Sequence, residues 1–471
     1  MKVKQSDYIG KNKVLFKKLL EKLLENFEYA SVLVSDSVSK RYSVSKMGIN
    51  ISEDDMLTSR GFVAKVYDGG CYAEYSGNDI SEEKISDIVA KIKDELVLFG
   101  SKFDKSQYKI PEDEPLTLSK STEYEIDPED MGDEAIIEKM TKVYQAGMAE
   151  DEKVLNFNVG MNYQKYSKLF LSKNRDMEQN ILWSSGHTIA MALRGEEVKD
   201  SSSMFSVLGG MEVLDDMMDS VKKTVKVCLE LLDSEPLLPG VYDCICDPET
   251  TGMIVHEAFG HGVEMDMFVK DRALAANYVG QYVASPLITM HDGNGENEVA
   301  TYFFDDEGTL ACDTIIIDKG ILVAGISDLQ SAMALSTKPT GNGRRESFER
   351  KSYTRMTNTY FEAGNDKLED MIASIENGLL LESPSSGMED PKNWGIQCMV
   401  SYAREIKNGK LTGKIFSPIV LTGYVPDLLK SISMVSDTKK LSGSGFCGKG
   451  YKEWVKVSDG GPYIKAKIRL G

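Results

Sequence analysis

"DSEPLLPG", Asp233 to Gly240, divides the chain. Each proline removes a backbone donor and fixes φ, so neither a helix nor a paired strand runs through Pro236 and Pro239. Upstream of it, helical and strand-like patterns are interleaved. Downstream, a single motif helix gives way to β-like runs. The domain boundary is therefore placed here, with residues 1–235 before it and 236–471 after it.

Upstream, Phe16, Leu20, Leu23 and Phe27 recur at helical spacing. A strand is expected from Tyr29. "GFVAKVYDGGCYAEYS" reads as a hairpin turning at Asp68-Gly69-Gly70. Asp79 with Glu82 resembles a capping box before a helix through Ile85, Ile88, Val89 and Ile92. A further helix is expected over Asp133–Ala149, then strands near Asn156–Leu171 and Asn180–Leu193. A long helix follows, with Leu214, Met218, Val221, Val225, Cys228 and Leu232 forming an apolar stripe. Downstream, "PLITMHDG", "VATYFFDDEG", "TIIIDKGILVAGIS" and "IQCMVSYAREIKNGKLTGKIFSPIVLTG" read as strands, with a tight hairpin at Asn408-Gly409. Short helices are expected at Leu329–Leu335 and Leu368–Ile375.

Composition narrows the function. The 471 residues are 41% hydrophobic and 27% charged, a globular balance with room for sizeable cores. A metal would thus serve chemistry rather than folding. The net charge of -19 argues against general nucleic-acid or membrane-surface binding, since phosphates would repel it. Seven scattered cysteines form no disulfide framework, and the lysine-interrupted N-terminus reads as an amphipathic helix rather than a secretion signal. No apolar run is long enough to span a bilayer. Cytoplasm is the expected location.

The chemistry concentrates in "DPETTGMIVHEAFGHG", Asp247 to Gly262. Asp247 can cap a helix, Pro248 suits its first position, and Glu249 favours its positive end. His256 and His261 lie five residues apart, with Glu257 beside the first. An α-helix advances about 100° per residue, so that spacing leaves the rings about 140° out of line. A π-bulge absorbs one extra residue and would bring them together. Gly260 lowers the cost of such a distortion. The spacing therefore predicts a local defect between Glu257 and His261. Zinc is the natural occupant for two imidazoles, and Glu257 could accept a proton from water beside it. A third ligand must come from elsewhere: Glu264, Asp266, His187, His291 or a cysteine. On these residues alone, a metal site and a pair of buried histidines bonded to carbonyls both remain open.

The wider stretch "HEAFGHGVEMD" resembles the motif of the TldD/PmbA metallopeptidases, in their TldD-like, metal-bearing branch, whose older label is modulator of DNA gyrase. "FDDEGT", "PTGNGRRESF", "RMTNTYFEAG", "IENGL" and "SGSGFCGKG" resemble family segments in the same order. The likeness covers most of residues 240–450. It implies that His256, His261 and Cys447 are zinc ligands and that Glu257 is the general base. It implies an α+β fold: an N-terminal α/β domain with helices on an antiparallel or mixed sheet, and a mostly-β, barrel-like C-terminal domain carrying the zinc helix. It also implies hydrolysis of unfolded or small peptides inside a chamber, closed by a second identical chain or by a metal-free relative. By the same resemblance "GNGRRE" lies near that chamber, and an extended peptide could pair with an exposed edge at "RMTNTY". Arg345, Arg355 and Asn358 are therefore candidate substrate contacts.

Gly443, Gly445 and Gly448 fit G-x-G-x-x-G, but strand-like sequence follows where a dinucleotide fold needs a helix. Two departures from the family pattern, "EDPKNWGIQ" and the tail after Cys447, bear on substrate and partner rather than on the metal. The competing functions are a non-catalytic interaction subunit and a zinc amidohydrolase acting on small molecules.

Overall fold

The computed structural model describes residues 1–100, 109–443, 445–451 and 453–471, with the side chains of 99 and 100 excepted. Ser444 and Lys452, which fall in the C-terminal segments quoted above, lie outside the described residues.

Among the described residues, the first half builds an eight-stranded mixed sheet. Its spine is Tyr29–Ser45, Val154–Ser172 and Arg175–Arg194, paired antiparallel. Leu116–Ser121 adds the parallel pairing. Alternation along the spine sends successive side chains to opposite faces. Val32, Val34, Tyr42, Val44, Val159, Met161, Leu169, Leu171 and Leu182 all point to one face. There they meet the helices Asp7–Leu24 and Lys84–Gly100 toward one end, and Pro128–Ala149 and Val213–Leu231 toward the other. Leu33, Phe170, Met177, Ile181 and Trp183 point to the other face and pack on Val299, Tyr302 and Phe304 of the second half. The sheet thus has helices on one side and the C-terminal half on the other.

Several expectations shift. The helix expected at Asp133 starts at Pro128 behind an Asp127 cap and bends at Gly132. The helix expected behind Asp79 starts at Lys84, whose ammonium pairs with Asp79. Met217 rather than Met218 joins the stripe of the long helix, because Met218 stays 38% exposed. Glu197–Val207 is an additional strand along Arg175–Arg194. "VATYFFDDEG" is not a strand: its acids hold turns instead. Asp305 Oδ1 accepts the Glu307 and Thr309 N–H groups, and Asp305 Oδ2 accepts that of Gly343.

In the second half five strands close a ring among the described residues. Gly240–Cys246 pairs with Asn377–Asp390, that strand with Gly395–Lys407, and the next with Ile419–Tyr424. Ile419–Tyr424 then meets Ser458–Leu470, which returns to Gly240–Cys246. This ring is the barrel-like element. Leu379, Leu381, Ile396, Cys398, Val400, Ile464 and Ile468 share one core with Ile254, Val255, Ala258 and Phe259 of the motif helix. Ile245, Leu380 and Ile406 point the other way, toward the helix Leu368–Ala373. Asn408 and Gly409 both take positive φ, as a two-residue hairpin turn requires. No described helix is long and apolar enough to cross a membrane.

Candidate metal centre

The motif helix leaves the strand Gly240–Cys246 through an Asp247 cap, whose Oδ1 accepts the Thr250 N–H at 2.8 Å. It runs as α-helix over Pro248–Met253, widens to a π-helix over Ile254–Gly260, and tightens to a 3-10 turn over His261–Val263. The His261 N–H donates to the His256 carbonyl, five residues back. This is the defect that the histidine spacing predicts. It brings the two rings to a centroid separation of 5.1 Å, edge to face at 89°. Glycines let the helix seat this deeply. A Cβ on Gly252 would stand 2.5 Å from Asp459 Oδ1 and 2.6 Å from the Gly460 nitrogen.

The sulfur arrives from far along the chain. Cys447 sits in a short hairpin, Phe446–Lys449 paired with Glu453–Lys456. Its Sγ lies 3.6 Å from His261 Nε2. One donor atom from each of His256, His261 and Cys447 falls within 4.8 Å of the others, the one such trio among the described residues. His256 and Cys447 are buried, and His261 is partly exposed. Burial opposes charge on all three. For Cys447 the two imidazoles outweigh burial and hold the thiol well below its ordinary range. The same sulfur raises both histidines against their burial. A thiolate facing two imidazoles is a donor set suited to a soft or borderline cation. The fit is not shared by the other buried thiols. Cys398 is pushed up to about 12 by its burial, and Cys244 and Cys246 are raised by theirs.

Glu257 follows His256 on the π turn and is partly exposed. The strand Asn377–Asp390 leaves room for it at Gly387, where a Cβ would stand 2.4 Å from Glu257 Cγ. The other ligand candidates are committed elsewhere. Glu264 Oε2 accepts from His261 Nδ1 at 3.3 Å, so it holds a histidine rather than joining the trio. Asp266 pairs with Lys449 and Lys270. His187 stands over Gly160 in the first sheet. His291 is clamped between Asp313 at 2.7 Å and Glu362 at 3.0 Å.

The three substrate-contact candidates are gathered into the scaffold. Arg345, 8% exposed, pairs with Glu74 of the first half at 2.7 Å. Arg355, 1% exposed, donates to the carbonyls of Cys447 and Glu453, and so grips the hairpin that carries the sulfur. Asn358 donates to Gly293 O, Glu296 O and Thr301 Oγ1. The strand edge considered for a peptide at "RMTNTY" is already used. Asn358–Phe361 lies between Met290–Gly293 and Ser458–Leu470, paired on both sides. Lys449 and Asp459, the latter with its Oδ2 3.9 Å from His256 Nδ1, are residues near the centre to which the sequence alone assigns no role. For Lys449 a signal is available: its place two residues after Cys447 on a strand, hence on the same face.

Residues 239–468 match the family model of the PmbA/TldA metallopeptidase C-terminal domain. A metalloprotease TldD homolog of Haemophilus influenzae is 30% identical over 347 residues, 72% of each chain. The chain belongs to the PmbA/TldD family. A metalloprotease of Methanothermobacter thermautotrophicus is 29% identical over 280 residues, a match that spans 59% of this chain and only 61% of that relative. A metalloprotease of Methanocaldococcus jannaschii is 25% identical over 448 residues, covering 95% of this chain and 97% of the relative. The solved structure of TldE from Thermococcus kodakarensis superposes with a TM-score of 0.76 at 18% identity, covering 96% of this chain and 99% of TldE. This likeness extends the PmbA/TldD fold over both halves. Curated relatives of this PmbA/TldD chain carry the name metalloprotease, which implies a metal.

Proposed function

We propose that this chain is a zinc-dependent peptidase acting on unfolded or small peptides. The observation that carries the reading is the convergence of His256, His261 and Cys447 within 4.8 Å, with Glu257 on the same widened turn. Two imidazoles and a thiolate would hold zinc while leaving a fourth position open, the pattern of catalytic rather than structural sites. Bound there, zinc would supply Lewis-acid polarisation of a peptide carbonyl and of water.

The chain's own residues do the rest. Glu257 carries no metal in this scheme, so its carboxylate is free to accept a proton from the attacking water and return it to the departing amine. His256 and His261, held edge to face by the π turn, would hold the metal together with Cys447. A second copy of this chain, or a metal-free relative, would enclose the site in a chamber that admits unfolded peptides. The net charge of -19 speaks against nucleic acid as the substrate. The seven cysteines are all free, which suits the reducing cytoplasm.

Metal analysis of the purified chain, joined to cleavage assays on an unfolded-peptide library and on small amides, tests the proposal. About one zinc per chain and peptide cleavage abolished by a chelator are expected. A chain that takes up no metal sinks the proposal, as does a zinc-loaded chain that hydrolyses small amides and leaves peptides intact.

A further inference from the structure

The two segments that meet at the centre are 186 residues apart in sequence, counted from His261 to Cys447. Among the described residues no backbone hydrogen bond joins the two segments. The motif turn belongs to the barrel core, and the Cys447 hairpin, a separate two-stranded sheet, reaches that core through Cys447 and Val455, apolar contacts that do not set the direction of the sulfur. A metal centre requires its donors to be held within about 0.5 Å, so something has to fix the hairpin against the turn.

We infer that Lys449 is a positioning residue, a strut that locks the Cys447 hairpin to the carboxylate orienting His261. This rests on the zinc reading above. Lys449 follows Cys447 by two residues on the same strand, so both side chains leave one face. Its ammonium donates to Glu264 Oε2 at 3.0 Å, to Asp266 Oδ1 at 2.7 Å and to the Thr354 carbonyl at 3.0 Å. Three acceptors use all three of its donors. Glu264 is 1% exposed, and the same Oε2 lies 3.3 Å from His261 Nδ1. That bond directs His261 Nε2 toward Cys447 Sγ, 3.6 Å away.

The contacts close a circuit from sulfur through strand, ammonium and carboxylate to imidazole, and back to sulfur. A carboxylate on the far nitrogen of a ligating histidine fixes its tautomer and ring orientation. Here that carboxylate is itself fixed by a cation from the segment bearing the third ligand. Removing the cation leaves Glu264 buried without its counter-charge, free to turn away and release the ring. Asp266 and Thr354 hold Lys449 in place from the other side, which makes its position independent of any metal.

Cobalt(II) titration of the full chain, read by the thiolate-to-cobalt charge-transfer band and by competition with a chelator, tests this. Lys449→Met is expected to weaken cobalt binding about 10- to 100-fold and to reduce the band, with Lys449→Arg recovering part of the loss. Lys65→Met, which breaks a buried ion pair remote from the centre, is expected to lower thermal stability while leaving cobalt affinity unchanged. Should Lys449→Met not fold, Glu264→Gln keeps the side-chain volume and carries the same expectation. Cobalt affinity within about twofold of wild type in a folded Lys449→Met or Glu264→Gln chain overturns the inference and leaves the zinc reading standing. A wild-type chain that binds no cobalt overturns both.

Discussion

Glu257 and Cys447 play separable parts at the centre. Glu257→Gln keeps all three donors and nearly the same volume. Metal content is expected to be unchanged, with peptide turnover down by about 100-fold or more, as for loss of a positioned base. Metal analysis beside a turnover assay checks this, and a fully active variant would remove Glu257 from the role. Cys447→Ala takes away the single sulfur, and zinc affinity measured against a chelator is expected to fall by more than about 100-fold, beyond the range of an outer-shell contact. Unchanged occupancy would exclude the sulfur. The histidines and the glutamate are legible because they are neighbours in sequence, and helical arithmetic alone says how they can meet. Cys447 is not legible in that way. Nothing in its spacing separates it from six other cysteines; the resemblance singles it out, with its glycine-rich setting in support. The structure places the arginine candidates in the scaffold, with Arg345 paired to Glu74. Arg355 donates its two terminal nitrogens to the carbonyls of Glu453 and Cys447.

The motif helix changes pitch twice within sixteen residues of chain, from Pro248 to Val263, and its glycines make that possible. Gly252→Ala offers a test with an unusual sign. Alanine in a helix interior ordinarily gains about 0.5–1 kcal/mol over glycine. Here the added carbon would stand 2.6 Å from the Gly460 nitrogen and 2.7 Å from its Cα, both backbone atoms of the strand Ser458–Leu470. A loss of about 1–3 kcal/mol is expected in denaturant unfolding, since overpacking against a strand outweighs the propensity gain. A stabilised variant would mean that the helix has slack. The strand Glu197–Val207 is not legible in "EVKDSSSMFSV", which has little apolar alternation; its backbone pairing with Arg175–Arg194 defines it. "VATYFFDDEG" is the opposite case. Its aromatic residues give a strand-like composition, but Tyr302 and Phe304 are there to cover the second face of the first sheet.

At the scale of the whole molecule, the two halves are joined by buried charge as well as by that apolar face. Lys65 pairs with Glu307 at 2.9 Å, Arg345 with Glu74 at 2.7 Å, and Lys168 with Asp306. Gln179 is bonded both ways across the junction, donating to the Phe304 carbonyl and accepting from the Phe303 N–H. Burial would raise the Glu74 carboxyl, but Lys65 and Arg345 overcome it and hold Glu74 at about 2, against an ordinary value of 4.5. The folded form therefore binds the Glu74 proton less readily than the unfolded chain. Its contribution to stability is present above about 4.5 and is lost as pH falls toward about 2. Thermal unfolding across that window is expected to show a steeper fall for wild type than for Glu74→Gln. Parallel pH profiles would show that the junction does not draw on this charge.

By itself the sequence determined the local facts: the capped helix, the tight hairpin turns, and a one-residue excess that a π turn had to absorb. These follow from backbone sterics and from periodicities that act over a few residues. Only the tertiary structure decided what depends on chain closure over long separations. It set which cysteine reaches the imidazoles, closed five strands into a ring, buried both faces of the first sheet, and turned Arg345, Arg355 and Lys449 into braces. Such pairings are fixed by which buried donors and acceptors can be satisfied together, a condition on the whole packed chain that no single window contains.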